Sequence, residues 1–282
     1  MTATVLITGA STGIGRAAAL ALAERGYTVF AGVRHDADAP VHERVTPVRI
    51  DVTDPELITA AVDRITAATD GRLDALVNNA GIGAPWPMEL VPLQEFRRHL
   101  EVNLVGQLAV TQAFLPLLKR TRGRLINVGS EGGRVTLPFL GPITASKHGL
   151  VSITAAFRME LRPWGVTVSI VEPGATKSNA PEKLVTEGRR AIAVSFSEAG
   201  RADYAETFGR VIDKIAAGHE RQGSAPEVIA GAVVRAVTAR RPKARYPIGG
   251  HAKLLTRLAR FLPDRAMDQL FLRQLDINRT KV

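Results

Sequence analysis

The 282-residue sequence contains no cysteine, which excludes disulfides, thiolate nucleophiles and cysteine-ligated metals. Such a composition suits a reducing compartment, and no metal site is expected. Aromatic residues make up only 5% of the chain, and tyrosine occurs just at Tyr27, Tyr204 and Tyr246. Chemistry that needs a phenol therefore has few places to find one. No apolar run approaches the roughly 20 residues that cross a bilayer. The first strand-like run, Thr4-Val5-Leu6-Ile7, leads straight into a glycine loop, so no leader segment is expected and a cytoplasmic location is. No helix-turn-helix, zinc or aromatic-stacking pattern accompanies the basic charge, so nucleic acid is not an expected partner.

What is present is a large α/β protein. Hydrophobic residues make up 45% of the chain, enough for a full core in one domain. Short β-branched runs at Thr4–Thr8, Thr28–Val33, Val45–Asp51, Ala75–Asn78, Arg124–Gly129 and Thr167–Glu172 read as strands. Amphipathic stretches at Gly15–Arg25, Glu56–Thr69, Leu93–Lys119 and Ser146–Arg162 read as helices between them. This alternation predicts a doubly wound parallel sheet of Rossmann type, with ligands outside the carboxyl ends of the strands. Pro226–Thr238 continues as a helix and Arg245–Ile248 as a last strand.

One domain is expected over residues 1–250. Residues 177–225 have weak periodicity and read as a mobile, partly helical insertion over the substrate site. Residues 251–282 form an amphipathic extension, with Leu254, Leu255, Leu258, Phe261, Leu262, Leu270, Phe271 and Leu275 set against Lys253, Arg257, Arg260 and Arg273. A lid or oligomer contact is its expected role, and peripheral membrane attachment is the alternative. Charge is uneven: residues 1–181 carry 18 basic and 16 acidic side chains, whereas 182–282 carry 19 and 11. A solvated arginine-rich surface accounts for this excess, and an anionic partner is the sharper reading.

After the first strand comes Thr8-Gly9-Ala10-Ser11-Thr12-Gly13-Ile14-Gly15 and then a helix. Glycines there let a pyrophosphate approach the backbone, while the helix N-terminus supplies free N–H groups. The spacing G-x-x-x-G-x-G resembles the short-chain dehydrogenase/reductase family, and the resemblance repeats over roughly residues 4–178. It implies that Gly9, Ser11, Thr12, Gly13, Ile14 and Gly15 hold a nicotinamide dinucleotide, and that Asp51-Val52 contacts its adenine ring. Asn78-Asn79-Ala80-Gly81 matches the family's N-N-A-G segment, so Asn79, Ala80 and Gly81 lie beside the cofactor. Pro173-Gly174 follows the sixth strand, with Thr176 and Ser178 placed to contact the carboxamide. At the end of the second strand, where an acid would favour NAD, the residue is Val33, and the next is Arg34, with Arg16 nearby on the first helix. Guanidinium groups suit a 2′-phosphate, so NADP(H) is the expected cofactor, although Asp36 and Asp38 are close in sequence.

The catalytic half carries one departure. The resemblance assigns Ser130 to the substrate oxygen, Lys147 to the nicotinamide ribose and Asn103 to the proton relay. In Gly141-Pro142-Ile143-Thr144-Ala145-Ser146-Lys147, however, Ile143 occupies the position of the family's catalytic tyrosine. Positions four apart share a helix face, so Ile143 lies beside Lys147, and it can neither give nor take a proton. Glu131 directly follows Ser130, where a desolvated carboxyl could act as the acid or orient a cationic substrate. Pairing with Arg134 or exposure on a loop is the bland alternative. His148 is expected to point away from Lys147.

These readings imply an NADP(H)-dependent oxidoreductase with an atypical proton supply. Trp86, Pro87, Met88, Phe139 and Leu140 suggest a roomy apolar pocket for a bulky apolar or aromatic carbonyl, enone or iminium-like compound. The alternatives are a non-redox or regulatory nucleotide-binding protein, or an active-site variant of an ordinary ketone or alcohol enzyme. The resemblance also implies a homo-oligomer, dimer or tetramer.

Overall fold

The strand runs join into a single parallel sheet. In the computed structural model, which describes residues 2–277, the strands are β1 (Thr4–Thr8), β2 (Thr28–Val33), β3 (Val45–Arg49), β4 (Ala75–Asn78), β5 (Arg124–Val128), β6 (Thr167–Pro173) and β7 (Arg245–Ile248). Their order is β3-β2-β1-β4-β5-β6-β7, and every neighbouring pair is parallel. Chain direction across the sheet reverses between β1 and β4, which opens the crevice where such sheets bind ligands.

Side-chain alternation along β1 divides the core. Val5 and Ile7 face one layer with α1 (Gly13–Ala23) and α8 (Pro226–Thr238). Leu6 faces the other, with α2 (Pro55–Thr69) and α4 (Gly106–Thr121), where Ile65, Phe114 and Leu118 are fully enclosed. Both faces of the strands are thus apolar, the pattern of a sheet covered on two sides. Helix α2 starts where Asp54 accepts from the backbone N–H groups of Glu56 (2.9 Å) and Leu57 (3.1 Å), with Pro55 in the first turn.

Three expectations change. The helix read as continuous over 93–119 is α3 (Leu93–Leu100), a π-helical turn over Glu101–Val105, and then α4. Helix α5 (Gly141–Glu160) begins five residues before the expected Ser146, because Pro142 supplies a preset φ in its first turn. The segment 177–225, expected to be partly helical, is helical over most of its length. It folds as α6 (Ala180–Arg190), a π-helical turn and the 25-residue α7 (Glu198–Gln222), whose Phe208, Val211, Ile212, Ile215 and Ala216 are buried at helical spacing.

The extension forms two helices, α9 (Ala252–Phe261) and α10 (Asp264–Gln274). Met267 and Phe271 bury against Val135, and Leu255, Leu258 and Ala259 pack on the same cluster. The last residues of the expected extension, 278–282, lie outside the described residues. Among the described residues no helix is long and apolar enough to cross a membrane.

Candidate active site

The glycine loop is shaped by contacts that leave no room for side chains. A Cβ on Gly15 would lie 2.3 Å from the Gly9 carbonyl oxygen and 2.5 Å from Asn79 Nδ2. Gly13, at φ +54°, has nothing within 4 Å of where its Cβ would stand, so the loop presents open space there. Thr12 makes no side-chain cap on α1, and the first turn carries no acidic residue. The helix N-terminus therefore keeps free N–H donors and its positive dipole end, which fits a pyrophosphate.

Asn79 locks this loop to β4. Its Nδ2 donates to the Thr8 and Gly9 carbonyls at 3.0 Å each, while the Asn79 and Ala80 backbone N–H groups donate to Thr8 Oγ1 at 3.0 and 3.1 Å. Gln107 Nε2 holds the Ala80 carbonyl. Beneath, a buried ladder crosses the layer: Asn78 Nδ2 donates to Thr111 Oγ1 (2.8 Å) and Asn127 Oδ1 (3.0 Å), and Asn127 Nδ2 to Thr154 Oγ1 (2.8 Å). Asn127, Thr111 and Thr154 escape sequence reading, because isolated polar residues in apolar runs give no local signal.

At the end of β2, Val33 is buried and Arg34 exposed. Burial tends to raise the Asp51 carboxyl, but hydrogen bonds from Thr53 N–H (3.0 Å) and Oγ1 (2.7 Å), with Arg34 nearby, hold it below its ordinary value. Val52 is buried against Gly106. Asp36 and Asp38 form an exposed single turn.

The π-helical turn places Asn103 fully inside. Its Oδ1 accepts from Ile82 N–H (2.8 Å), and its Nδ2 donates to the Ile82 carbonyl (2.9 Å) and to Ser146 Oγ (3.0 Å). Ser146 in turn donates to the Ile143 carbonyl at 2.7 Å. Buried His99 fixes the next stretch: its Nε2 accepts from Ala84 N–H at 2.9 Å while Nδ1 donates to the Glu95 carbonyl at 2.8 Å. Together Asn103 and His99 hold Ile82–Ala84 against α5, where Ile143 Cδ1 lies 3.2 Å from the Cβ position of Gly83.

Lys147 Nζ donates to the Val128 carbonyl at 3.1 Å, and a Cβ on exposed Gly81 would lie 3.7 Å from it. Burial lowers its pKa to about 8, and among the described residues no carboxylate pairs with it. Its remaining N–H bonds can hold ribose hydroxyls. Ser130 Oγ accepts from Gly132 N–H at 3.0 Å, which leaves its own proton to donate.

Glu131 is half-buried and not paired with Arg134. Arg134 Nε lies 3.5 Å from Glu172 Oε1, the same oxygen that accepts from Arg245 at 2.5 Å. Glu131 Oε2 is sealed from solvent with no hydrogen-bond partner, 3.0 Å from the Cβ position of Gly174. Desolvation raises its pKa to about 7.

Glu131 follows Ser130 in the chain and sets its Oε2 beside Gly174, while Asn103 Oδ1 and Lys147 Nζ both face Gly81. None of the three tyrosines joins them: Tyr204 donates to Glu89 Oε2 (2.5 Å), Tyr246 accepts from Lys243 N–H (2.8 Å), and Tyr27 packs under α1. Thr144 Oγ1 bonds back to the Leu140 carbonyl, and His148 Nδ1 to the Thr144 carbonyl.

Downstream, Thr176 Oγ1 donates to the Gly174 carbonyl (3.1 Å), its N–H points to His219 Nδ1 (3.4 Å), and Ser178 Oγ accepts from Ala180 N–H at the start of α6. Burial lowers the His219 pKa. The aromatics pack on one another: Phe139, at φ +67°, stands edge-on to Phe208 and Tyr204, and Trp86 packs on Phe196, while Met88 is exposed.

Residues 3–189 match the family model described as short chain dehydrogenase. The chain is 34% identical to an NADPH-dependent 3-dehydrocapnine reductase of Ornithobacterium rhinotracheale, covering 96% of each protein. It is 32% identical to a 3-amino-tetrahydro-pyrrolizinone reductase of Xenorhabdus hominickii, over 95% of this chain and 94% of that one. Among solved structures, a Burkholderia cenocepacia short chain dehydrogenase in complex with NADP superimposes with a TM-score of 0.73 at 28% identity, covering 97% of each chain. With this sheet order, this glycine loop and these relatives, the chain belongs to the short chain dehydrogenase family of oxidoreductases.

Proposed function

We propose that the protein is an NADP(H)-dependent reductase of a bulky, largely apolar carbonyl, enone or iminium-like compound, in which Glu131 supplies the proton that the family takes from a tyrosine. The observation that carries this reading is the sealed, unpartnered Glu131 Oε2 beside Ser130 and Gly174, in a site whose tyrosine position is Ile143. A carboxyl with a pKa near 7 is protonated in about half of the molecules at neutral pH, as a general acid working there must be.

The cofactor reading rests on the fit of the loop to a pyrophosphate, on Arg34 at the end of β2, and on relatives named for NADPH or solved with NADP. Bound NADPH supplies a hydride. The protein's own part is positional and acid–base. Gly9, Ser11, Thr12, Gly13, Ile14 and Gly15 would hold the phosphates, Arg34 the 2′-phosphate, and Asp51 and Val52 the adenine. Asn79, Ala80 and Gly81 shape the floor, Lys147 holds the ribose, and Pro173, Gly174, Thr176 and Ser178 orient the carboxamide. Ser130 donates its hydroxyl proton as a hydrogen bond to the substrate oxygen, and Glu131 delivers the transferred proton. Asn103 positions Lys147's surroundings through Ile82 and Ser146. Ile143 contributes apolar contact alone.

A second reading has its own support: the same carboxyl would hold an ammonium group, and one relative is named for a 3-amino-tetrahydro-pyrrolizinone. The two readings predict opposite pH behaviour, since an acid fails as pH rises through about 7, and a counter-ion fails as pH falls. The test is single-turnover NADPH absorbance with ketones, enones, quinones and iminium salts, on the native chain, Glu131→Gln and Ile143→Tyr. Loss of about 10²–10⁴ in rate in Glu131→Gln, restored by adding Ile143→Tyr, is the expected result. NADPH that binds but is never oxidised, even after Ile143→Tyr, contradicts the redox reading.

A further inference from the structure

The extension's outward surface combines exposed apolar side chains with a ring of basic ones. Its inner side is spent on the Val135 cluster, yet Phe261 is 77% exposed, Leu254 55%, Leu270 40% and Leu262 38%. Leu254 and Phe261 are seven residues apart on α9 and share a face, and Phe261-Leu262 forms the tip where α9 turns into α10. Around them stand exposed Lys253, Arg257, Arg260, Arg265 and Arg273, against Asp264, Asp268 and the Lys214-paired Asp276 among the described residues. The Arg260 guanidinium lies 5.7 Å from the Phe261 ring centroid.

We propose that the α9–α10 hairpin is an interfacial docking surface for an anionic lipid bilayer, with Phe261 and Leu262 entering the acyl boundary and the basic side chains meeting the headgroups. An apolar tip ringed by Lys and Arg is the arrangement that binds such surfaces, because burial of the tip and attraction to anionic lipid add together. Charge decides against the competing occupant. A second copy would bring the same basic tip against its own, in a chain of net charge +10.

Docking there has a consequence for the active site. Helix α9 starts at Ala252, whose Cβ lies 3.2 Å from the Cβ position of Gly174, and α9 packs against the turn that begins with Glu131. Helix α9 thus links the docking tip to Gly174 and Glu131, about 13 Å away along its axis; resting on the reductase reading above, the compound reduced would be a membrane-resident lipid carbonyl. The docking surface does not depend on the role assigned to Glu131, and vesicle partition is read without turnover.

The experiment is flotation of the full chain with vesicles of phosphatidylcholine alone or mixed with phosphatidylglycerol, at low and high salt. Binding to the mixed vesicles that salt abolishes is expected. Arg257→Gln with Arg260→Gln should weaken it on the order of 20-fold, and Phe261→Ala on the order of tenfold. Both variants alter exposed side chains, and retained NADPH binding confirms that they fold. No flotation of the native chain, or equal partition into neutral vesicles, overturns the proposal. So does sedimentation showing a dimer that Phe261→Glu dissociates, which would assign the tip to a second copy.

Discussion

Replacing Glu131 by Gln should stabilise the protein, and do so only above mildly acidic pH. Desolvation raises this carboxyl from its ordinary 4.5 to about 7, and no cation offsets that burial. The folded chain therefore binds the proton more tightly than the unfolded chain. The stability this contributes is full below about pH 4.5 and is lost as pH rises through about 7. Keeping the ionised group in the fold above that pH costs at most about 3 kcal/mol. Gln has nearly the same shape and no charge to desolvate. Urea unfolding of the apo chain at several pH values reads the effect, since all other titrating groups cancel in the difference. The advantage of Glu131→Gln over the native chain should grow by up to about 3 kcal/mol between pH 4.5 and pH 8. A difference that stays flat across that range refutes the desolvated carboxyl, and with it the basis for an acid at this position.

Other perturbations test the rest of the site. Asn103→Ala strips partners from both the N–H and the carbonyl of Ile82 and should cost about 2–4 kcal/mol, with weaker NADPH binding by fluorescence titration. Arg34→Ala should weaken NADPH binding about 10–100-fold while changing NADH affinity little; equal losses for both would remove the 2′-phosphate assignment. Gly15→Ala places a methyl 2.3 Å from the Gly9 carbonyl, so NADPH-induced thermal stabilisation should vanish.

Most strands were legible because each is a short β-branched run bounded by polar or glycine residues, and Thr4–Thr8, Thr28–Val33, Ala75–Asn78 and Arg245–Ile248 match to the residue. Helices were less so. The π-helical turn at Glu101–Val105 adds one residue to a helical turn without disturbing the apolar pattern enough to show, yet it helps seat Asn103 against Ile82. The first half of α7 is mostly exposed, which masked the regular Phe208–Ala216 stripe behind it. In the site, Ser130, Lys147 and Asn103 could be placed from motifs, but the partner of Arg134 could not. Glu172 and Arg245 meet through the pairing of β6 with β7, 73 residues apart in sequence, and Arg134 joins them from the turn after β5 rather than pairing with Glu131.

The central claim is that Glu131 gives the proton, and the pH dependence of single-turnover NADPH oxidation tests it most directly. The native rate should fall as pH rises through about 7, whereas Glu131→Gln should be uniformly slow and keep only the limb near 8 set by Lys147. A native rate that is flat or rising through pH 7, with Glu131→Gln equally fast, would contradict the account.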